Sequence, residues 1–375
     1  MTDERNLKTG RAIVEVGADW AILTSPDTVC YATGHDVPIE AGPSPFAGGP
    51  SCAIVGTDGT AALVVANPEE TAARGSRAAR VTAYEGFGDR RQAPVVDNFL
   101  AALATTLTDL DMGGAIAVER TSFPDTVRGA LGERAAKYLD IDAALWRQRA
   151  AKTAAEIDAL RACAGLTAIG QDAGLAAARP GRSELELFAD VRCAMERAAG
   201  ARLPVTGDLL TGVDRTARFT GWPVERVVGA DDPIIFDLAP RHRGYWGDSC
   251  NTVHLGTPSG AFDRMYTTVT RAFAHAADVL RPGLRAGAFD AEVRGVVRAD
   301  GYDYPHHTGH GIGTSVHEYP RLVPEETAVL EAGMVVMVEP GAYVPGVGGV
   351  RLEKMFLLTA DGNECLSPFE HRLRP

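Results

Sequence analysis

The chain has 375 residues, 45% of them hydrophobic and 23% charged, which is ordinary for a globular protein and enough for two domains. Its formal charge of −12 argues against nucleic acid or an anionic membrane surface as a partner. No apolar run reaches the ~18 residues of a transmembrane helix, and the polar start MTDERNLKTGR is unlike a secretory signal. The six cysteines are scattered without a CxxC, so reduced thiols in a cytoplasmic protein are expected.

Residues 1–147 read as a small α/β domain. WAILTSP and SCAIV are strand-like, and AALVV returns beside SCAIV after the Asp58-Gly59 turn. Val95 to Leu107 has helical spacing, Gly113 to Val118 is again strand-like, and a helix is expected after Pro124. The alternation predicts a mixed sheet with helices on its faces. The run PIEAGPSPFAGGP is a Gly/Pro-rich loop longer than a plain connection needs. No catalytic grouping appears in this half.

The boundary falls in the polar, basic connector WRQRAAKTAAEIDALR, and residues 148–375 form the second domain. Thr153 and Glu156 make a capping-box start for a long helix. Ser183 and Glu186 start the next one after the stop signal Pro180-Gly181. Phe262, Met265, Tyr266, Val269, Phe273, Ala276 and Leu280 mark one face of a third helix, ended by Pro282-Gly283. The expected arrangement is α+β: a curved antiparallel sheet with helices outside and a site on its inner face.

Three Gly-punctuated segments carry that site. In IIFDLAPRHRGYWGDSC, a hairpin centred between His242 and Arg243 would place Asp237 opposite Asp248. In VEPGAYVPGVGGVRLE, a second hairpin brings Glu339 towards Glu353. HHTGHGIGTSVHE supplies His310 between two glycines that allow close backbone approach, with His306 four residues before it and His317 seven after. Four carboxylates and a neutral imidazole carry a formal charge of −4, which two divalent cations cancel. Single acids on strands are usually structural, but five such groups in matching contexts point to a metal centre. His307, His35, His242, His254, His275 and His371 read as ordinary surface or packing histidines.

These segments resemble the pita-bread metallopeptidase family of Xaa-Pro dipeptidases, aminopeptidase P and methionine aminopeptidases, with the metal-free relative creatinase. The pattern is an Asp, a second Asp about eleven residues on, a GHG histidine, an EPG and a final Glu after a GGVR-type run. The resemblance implies a creatinase-like N-terminal domain and a pita-bread catalytic domain. It implies two divalent metals, Mn first, with Co, Fe or Zn also suited, held by Asp237, Asp248, His310, Glu339 and Glu353, with Asp248 and Glu353 bridging. Glu339 would also move the proton of a metal-activated water, with His306 and His317 as catalytic imidazoles. Arg351 and Tyr343 would face the substrate. In dimeric relatives the segment after YxTG closes over the partner's site, so His35 or Asp36 would touch substrate across a homodimer.

Three positions depart from the pattern. Where the peptidases carry a histidine seventeen residues before the first Asp, this chain has Thr220, which can hydrogen-bond but is neither cation nor base near neutral pH. The D-x-T-R-T run becomes Asp248-Ser249-Cys250-Asn251-Thr252, and Lys354 follows the last Glu. The activity the resemblance implies is hydrolysis of Xaa-Pro bonds in dipeptides or short peptides, and these departures are the ground for its alternatives. The alternatives are the same metals acting on a small non-peptide amide or amidine, and a non-catalytic binding module.

Overall fold

The computed structural model describes residues 3–40, 42, 44, 46–89 and 94–375. The chain divides into two compact units, Met1–Arg149 and Ala150–Pro375.

The first unit is built on a six-stranded mixed sheet. Its antiparallel centre is the hairpin of Cys52–Gly56 and Ala61–Ala66, turned at Gly59 (φ 81°), with Trp20–Leu23 beside it. Arg80–Tyr84, Gly114–Val118 and Ala135–Asp140 extend the sheet in parallel. Strands buried along their whole length, such as AALVVA, need cover on both faces. Helix Val95–Asp109 covers one face through Phe99, Leu103 and Leu107. On the other, Ala12 and Ile13 belong to helix Glu4–Glu15, which the polar N-terminal sequence did not announce.

The second unit is α+β. Helix Ala154–Ala177 begins with a complete capping box from Thr153 and Glu156, and Glu184–Ala199 does the same with Ser183 and Glu186. Each box satisfies two N-terminal backbone donors that would otherwise lack partners. Gln171 of the first of these helices donates from Nε2 to the carbonyl of Phe236 at 3.0 Å, fixing the helix to the strand that ends at Asp237. Helix Gly260–Val279 contributes Ala272 and Ala276, and helix Ala286–Ala299 contributes Phe289, Val293 and Val297, to a core shared with Val336, Val338 and Phe356.

The first acidic hairpin forms, but its register differs from the expected one. Arg243 (φ 50°) and Gly244 (φ 82°) both take left-handed conformations, so they are the two central residues of a tight primed turn. That centre pairs Arg241 with Trp246 and Asp237 with Cys250, two residues beyond the expected partner Asp248. The second hairpin brings its two acids together. Val338 pairs with Lys354 and Gly341 with Arg351, which leaves Glu339 and Glu353 opposed between the two ladders.

Cys250 is the seam between the hairpins. It pairs with Asp237 on one side and bridges to Glu353 on the other, with Glu353 N donating to its carbonyl at 2.9 Å. The histidine strand Gly309–Gly311 lies between Glu318–Leu322 and Val335–Val338. A Cβ at Gly309 would stand 1.9 Å from the carbonyl oxygen of Met337, so only glycine allows that strand to lie so close.

Candidate metal centre

The two hairpins and the histidine strand converge on one cavity of about 410 Å³ in the second unit. Ligand-capable atoms of Asp248, His310 and Glu353 all lie within 4.8 Å of one another. His310 Nε2 stands 3.8 Å from Asp248 Oδ2, 3.5 Å from Glu339 Oε1 and 3.9 Å from Glu353 Oε1. Its Nδ1 is 2.9 Å from the Gly311 carbonyl, which can only accept, so Nδ1 carries the proton and Nε2 presents a lone pair to the acids. Asp237 lines the same cavity, with Arg351 Nη2 donating to its Oδ2 at 2.5 Å.

Burial raises Asp248 well above the usual carboxylate range, with the charges of Asp237 and Glu339 adding to it, and burial raises Glu353 likewise, with Asp248, Glu339 and Asp237 adding. Burial lifts Asp237 to about 7 against the opposing pull of Arg351. Glu339 goes the other way: burial raises it, but His307, His306 and His310 together bring it below its ordinary value. Its Oε1 is buried and accepts no hydrogen bond, although His307 Nε2 approaches to 2.8 Å. Burial, with His317 and His307 adding to it and Glu339 opposing, drives His310 down to about 3, so it is neutral at pH 7. An orphaned carboxylate oxygen, a free imidazole lone pair and acids that resist ionising beside one another are a donor set that fits divalent cations.

The remaining expected residues form a second network in the same cavity. Arg351 is its hub. Nη1 donates to the Phe219 carbonyl at 2.7 Å and to Tyr343 Oη at 3.2 Å, while Nη2 donates to Asp208 at 2.7 Å. Tyr343 Oη lies 2.8 Å from His306 Nε2, and His306 Nδ1 lies 2.8 Å from the His307 carbonyl. The carbonyl can only accept, so the hydroxyl donates to Nε2. Burial lowers His306 to about 4. His317 is exposed at the rim, its ring 4.4 Å from that of His310. Thr220 lines the cavity and donates to Asp208 Oδ1 at 3.0 Å.

His35 is 1% exposed within the first unit, with Nε2 2.7 Å from Glu69 Oε2. Residues 41, 43 and 45 of the Gly/Pro-rich loop lie outside the described residues.

Three lining residues escaped the sequence reading. Asp208 sits in an unremarkable TGDLL run and becomes part of the site only through Arg351. Trp222, at the mouth, is 77% exposed. His307, expected to be ordinary, offers one ring nitrogen that lies with one each of His310 and His317 in a group within 4.8 Å that can hold a metal. Its signal was the doublet His306-His307 directly before the GHG; outside a regular strand, adjacent side chains can face the same cavity.

A family model described as metallopeptidase family M24 matches residues 158–360, more than half of the chain. The creatinase/prolidase N-terminal domain model matches residues 5–151. YkvY of Bacillus subtilis is 34% identical over 236 residues, 62% of this chain and 65% of that protein. An uncharacterized peptidase of Staphylococcus haemolyticus is 33% identical over 235 residues, 62% of this chain and 67% of its own length. Thus the match spans about two thirds of the length of these relatives. Among solved structures, the prolidase from Pyrococcus horikoshii OT3 has a TM-score of 0.82 at 23% identity, covering 99% of this chain and 100% of that one. The prolidase from Pyrococcus furiosus has 0.79 at 25%, covering 96% and 99%. X-Pro aminopeptidase from Thermotoga maritima has 0.83 at 22%, covering 100% and 99%. Likeness at 22–23% identity shows the fold alone: a creatinase-type N-terminal domain followed by a pita-bread domain.

Proposed function

The chain belongs to metallopeptidase family M24, and on that premise we propose that it hydrolyses Xaa-Pro bonds in dipeptides or short peptides with two divalent cations. The observation that carries the reading is the convergence of Asp248, His310 and Glu353 within 4.8 Å, with Glu339 and Asp237 lining the same cavity. Five carboxylates, counting Asp208, and one guanidinium leave a formal charge of −4, which two divalent ions neutralise. Asp237, Asp248, His310, Glu339 and Glu353 would hold them. Mn suits the oxygen-rich majority of this set. The bound ions supply Lewis-acid polarisation of the carbonyl and a lowered pKa for water.

The chain's own groups do the rest. Glu339 accepts the proton of the attacking water and delivers it to the leaving nitrogen. His317, at the rim, hydrogen-bonds the substrate carbonyl. His306 is neutral at pH 7 and fully engaged by His307 and Tyr343, so it orients the Tyr343 hydroxyl. Arg351 ties Asp237 to the substrate side. A cavity of about 410 Å³ is near the small end of ligand sites, which favours a dipeptide-sized substrate.

One observation favours a second reading, a small non-peptide amide or amidine. Thr220, where the resemblance expects a histidine, is bonded to Asp208, which puts an acid and a hydroxyl where the peptidases offer a base. Turnover of a panel of Xaa-Pro dipeptides and tripeptides by protein loaded with Mn²⁺ tests the choice. Hydrolysis supports the first reading; no turnover with two equivalents bound removes it. A cytoplasmic homodimer belongs to the same proposal. Sedimentation tests the dimer.

A further inference from the structure

We propose that His307 is a ligand of the cation held by His310 and Glu339. One of the two cation positions is then imidazole-rich and takes a borderline transition metal (Co²⁺, Fe²⁺ or Zn²⁺) in preference to Mn²⁺. The inference rests on the two-cation reading above and deepens it.

Three observations carry it. His307 Nε2 approaches Glu339 Oε1 to 2.8 Å, yet that buried oxygen accepts no hydrogen bond. A nitrogen and a carboxylate oxygen this close are spaced as two ligands of one ion can be. His310 Nε2, its lone pair fixed by the Gly311 carbonyl, is 3.5 Å from the same oxygen. Finally, the ring of His307 lies 5.0 Å from that of His310 and 5.5 Å from that of His317, so the imidazoles surround one point rather than stacking away from it. Added imidazole shifts a carboxylate site from the preference of Mn towards that of Co, Fe and Zn.

The structure also contains a brake on this ligand. Arg321 Nε donates to His307 Nδ1 at 3.1 Å on the exposed side of the ring. An imidazole that accepts at Nδ1 carries its proton on Nε2, where no metal can then bind. Metal capture therefore requires Arg321 to release the ring and the proton to leave Nε2 or move to Nδ1. One hydrogen bond of ~1 kcal/mol amounts to roughly fivefold in affinity.

The test is titration of metal-free full-length protein with Co²⁺, followed by visible absorption, and with Zn²⁺ and Mn²⁺ in chelator competition, so that no readout depends on turnover. Wild type should show two equivalents, one of them tighter for Co²⁺ and Zn²⁺ than for Mn²⁺. His307→Asn should weaken that equivalent by at least ~10-fold, since even outer-shell changes cost 10–100-fold, and should alter the Co²⁺ spectrum. Arg321→Ala should tighten it about two- to tenfold, a gain that a merely structural His307 cannot produce. Two equivalents in His307→Asn with wild-type affinity and spectrum overturn the proposal while leaving the two-cation reading intact. Wild-type protein that binds no Co²⁺ overturns both. Expected metal behaviour without Xaa-Pro cleavage removes only the substrate assignment.

Discussion

Asp248→Asn should act in opposite directions with and without metal. The ligand oxygens of Asp248 and Glu353 lie within 4.8 Å, where two unit charges repel by about 3.5 kcal/mol at an effective dielectric near 20. Burial already lets the metal-free protein relieve part of this by keeping a proton, so the substitution should recover roughly 1–3 kcal/mol rather than the whole. Asparagine keeps an oxygen to accept from Ser249 N, now 2.9 Å from Asp248 Oδ1, so the local fold loses no partner. For a unit of this size the gain corresponds to a rise in Tm of roughly 2–10 °C in chelator. Saturating cation should stabilise wild type by about 4 kcal/mol at a thousandfold excess over Kd, and the variant should lose most of that increment. Thermal melts followed by circular dichroism, with EDTA and with Mn²⁺, read both effects. A variant that melts below wild type in EDTA, or keeps the full metal increment, refutes the argument that these carboxylates are strained by one another and relieved by cations.

Three further outcomes follow from particular contacts. Gly309→Ala forces a Cβ against the Met337 carbonyl at 1.9 Å, so it should destabilise by ~3 kcal/mol or more and lower metal uptake; wild-type urea midpoint and metal content would show that the strand has room. Burial, with Lys354 adding to it, pushes His371 down to about 3, while an unfolded histidine titrates near ~6.5. The unfolded chain thus binds the extra proton first, so this contribution is whole above about pH 6.5 and is lost as pH falls towards 3, by up to ~1.4 kcal/mol per pH unit. His371→Leu should flatten that part of the urea midpoint against pH, and an unchanged slope rules the imidazole out. Thr220→His should raise kcat/KM for Xaa-Pro dipeptides by ~10-fold or more, the usual scale for a placed acid–base group; a drop would show that the hydroxyl bond to Asp208 serves the reaction.

Much of this was written locally. Capping residues, glycine and proline stops and the helical spacing from Phe262 onwards determined where elements start and end, because those signals act within a few residues. The acids and His310 were legible because each lies at a strand end or between glycines. The first hairpin's register was not. It depends on Arg243 taking a left-handed conformation beside Gly244, and a non-glycine residue seldom advertises that.

What the tertiary structure alone decided is how distant segments meet. Cys250 joins the two hairpins by a backbone bridge to Glu353, and backbone hydrogen bonds carry no residue signature. Asp208 enters the site because Arg351, 143 residues away, reaches it. His307 faces the cavity beside His306 because the chain there is irregular, so strand alternation no longer separates neighbours. His35 meets Glu69, 34 residues on, only through the fold of the first unit. Sequence specifies which groups are available and how each short stretch folds. Which of them share a cavity depends on contacts between residues far apart in the chain, and only the folded arrangement resolves those.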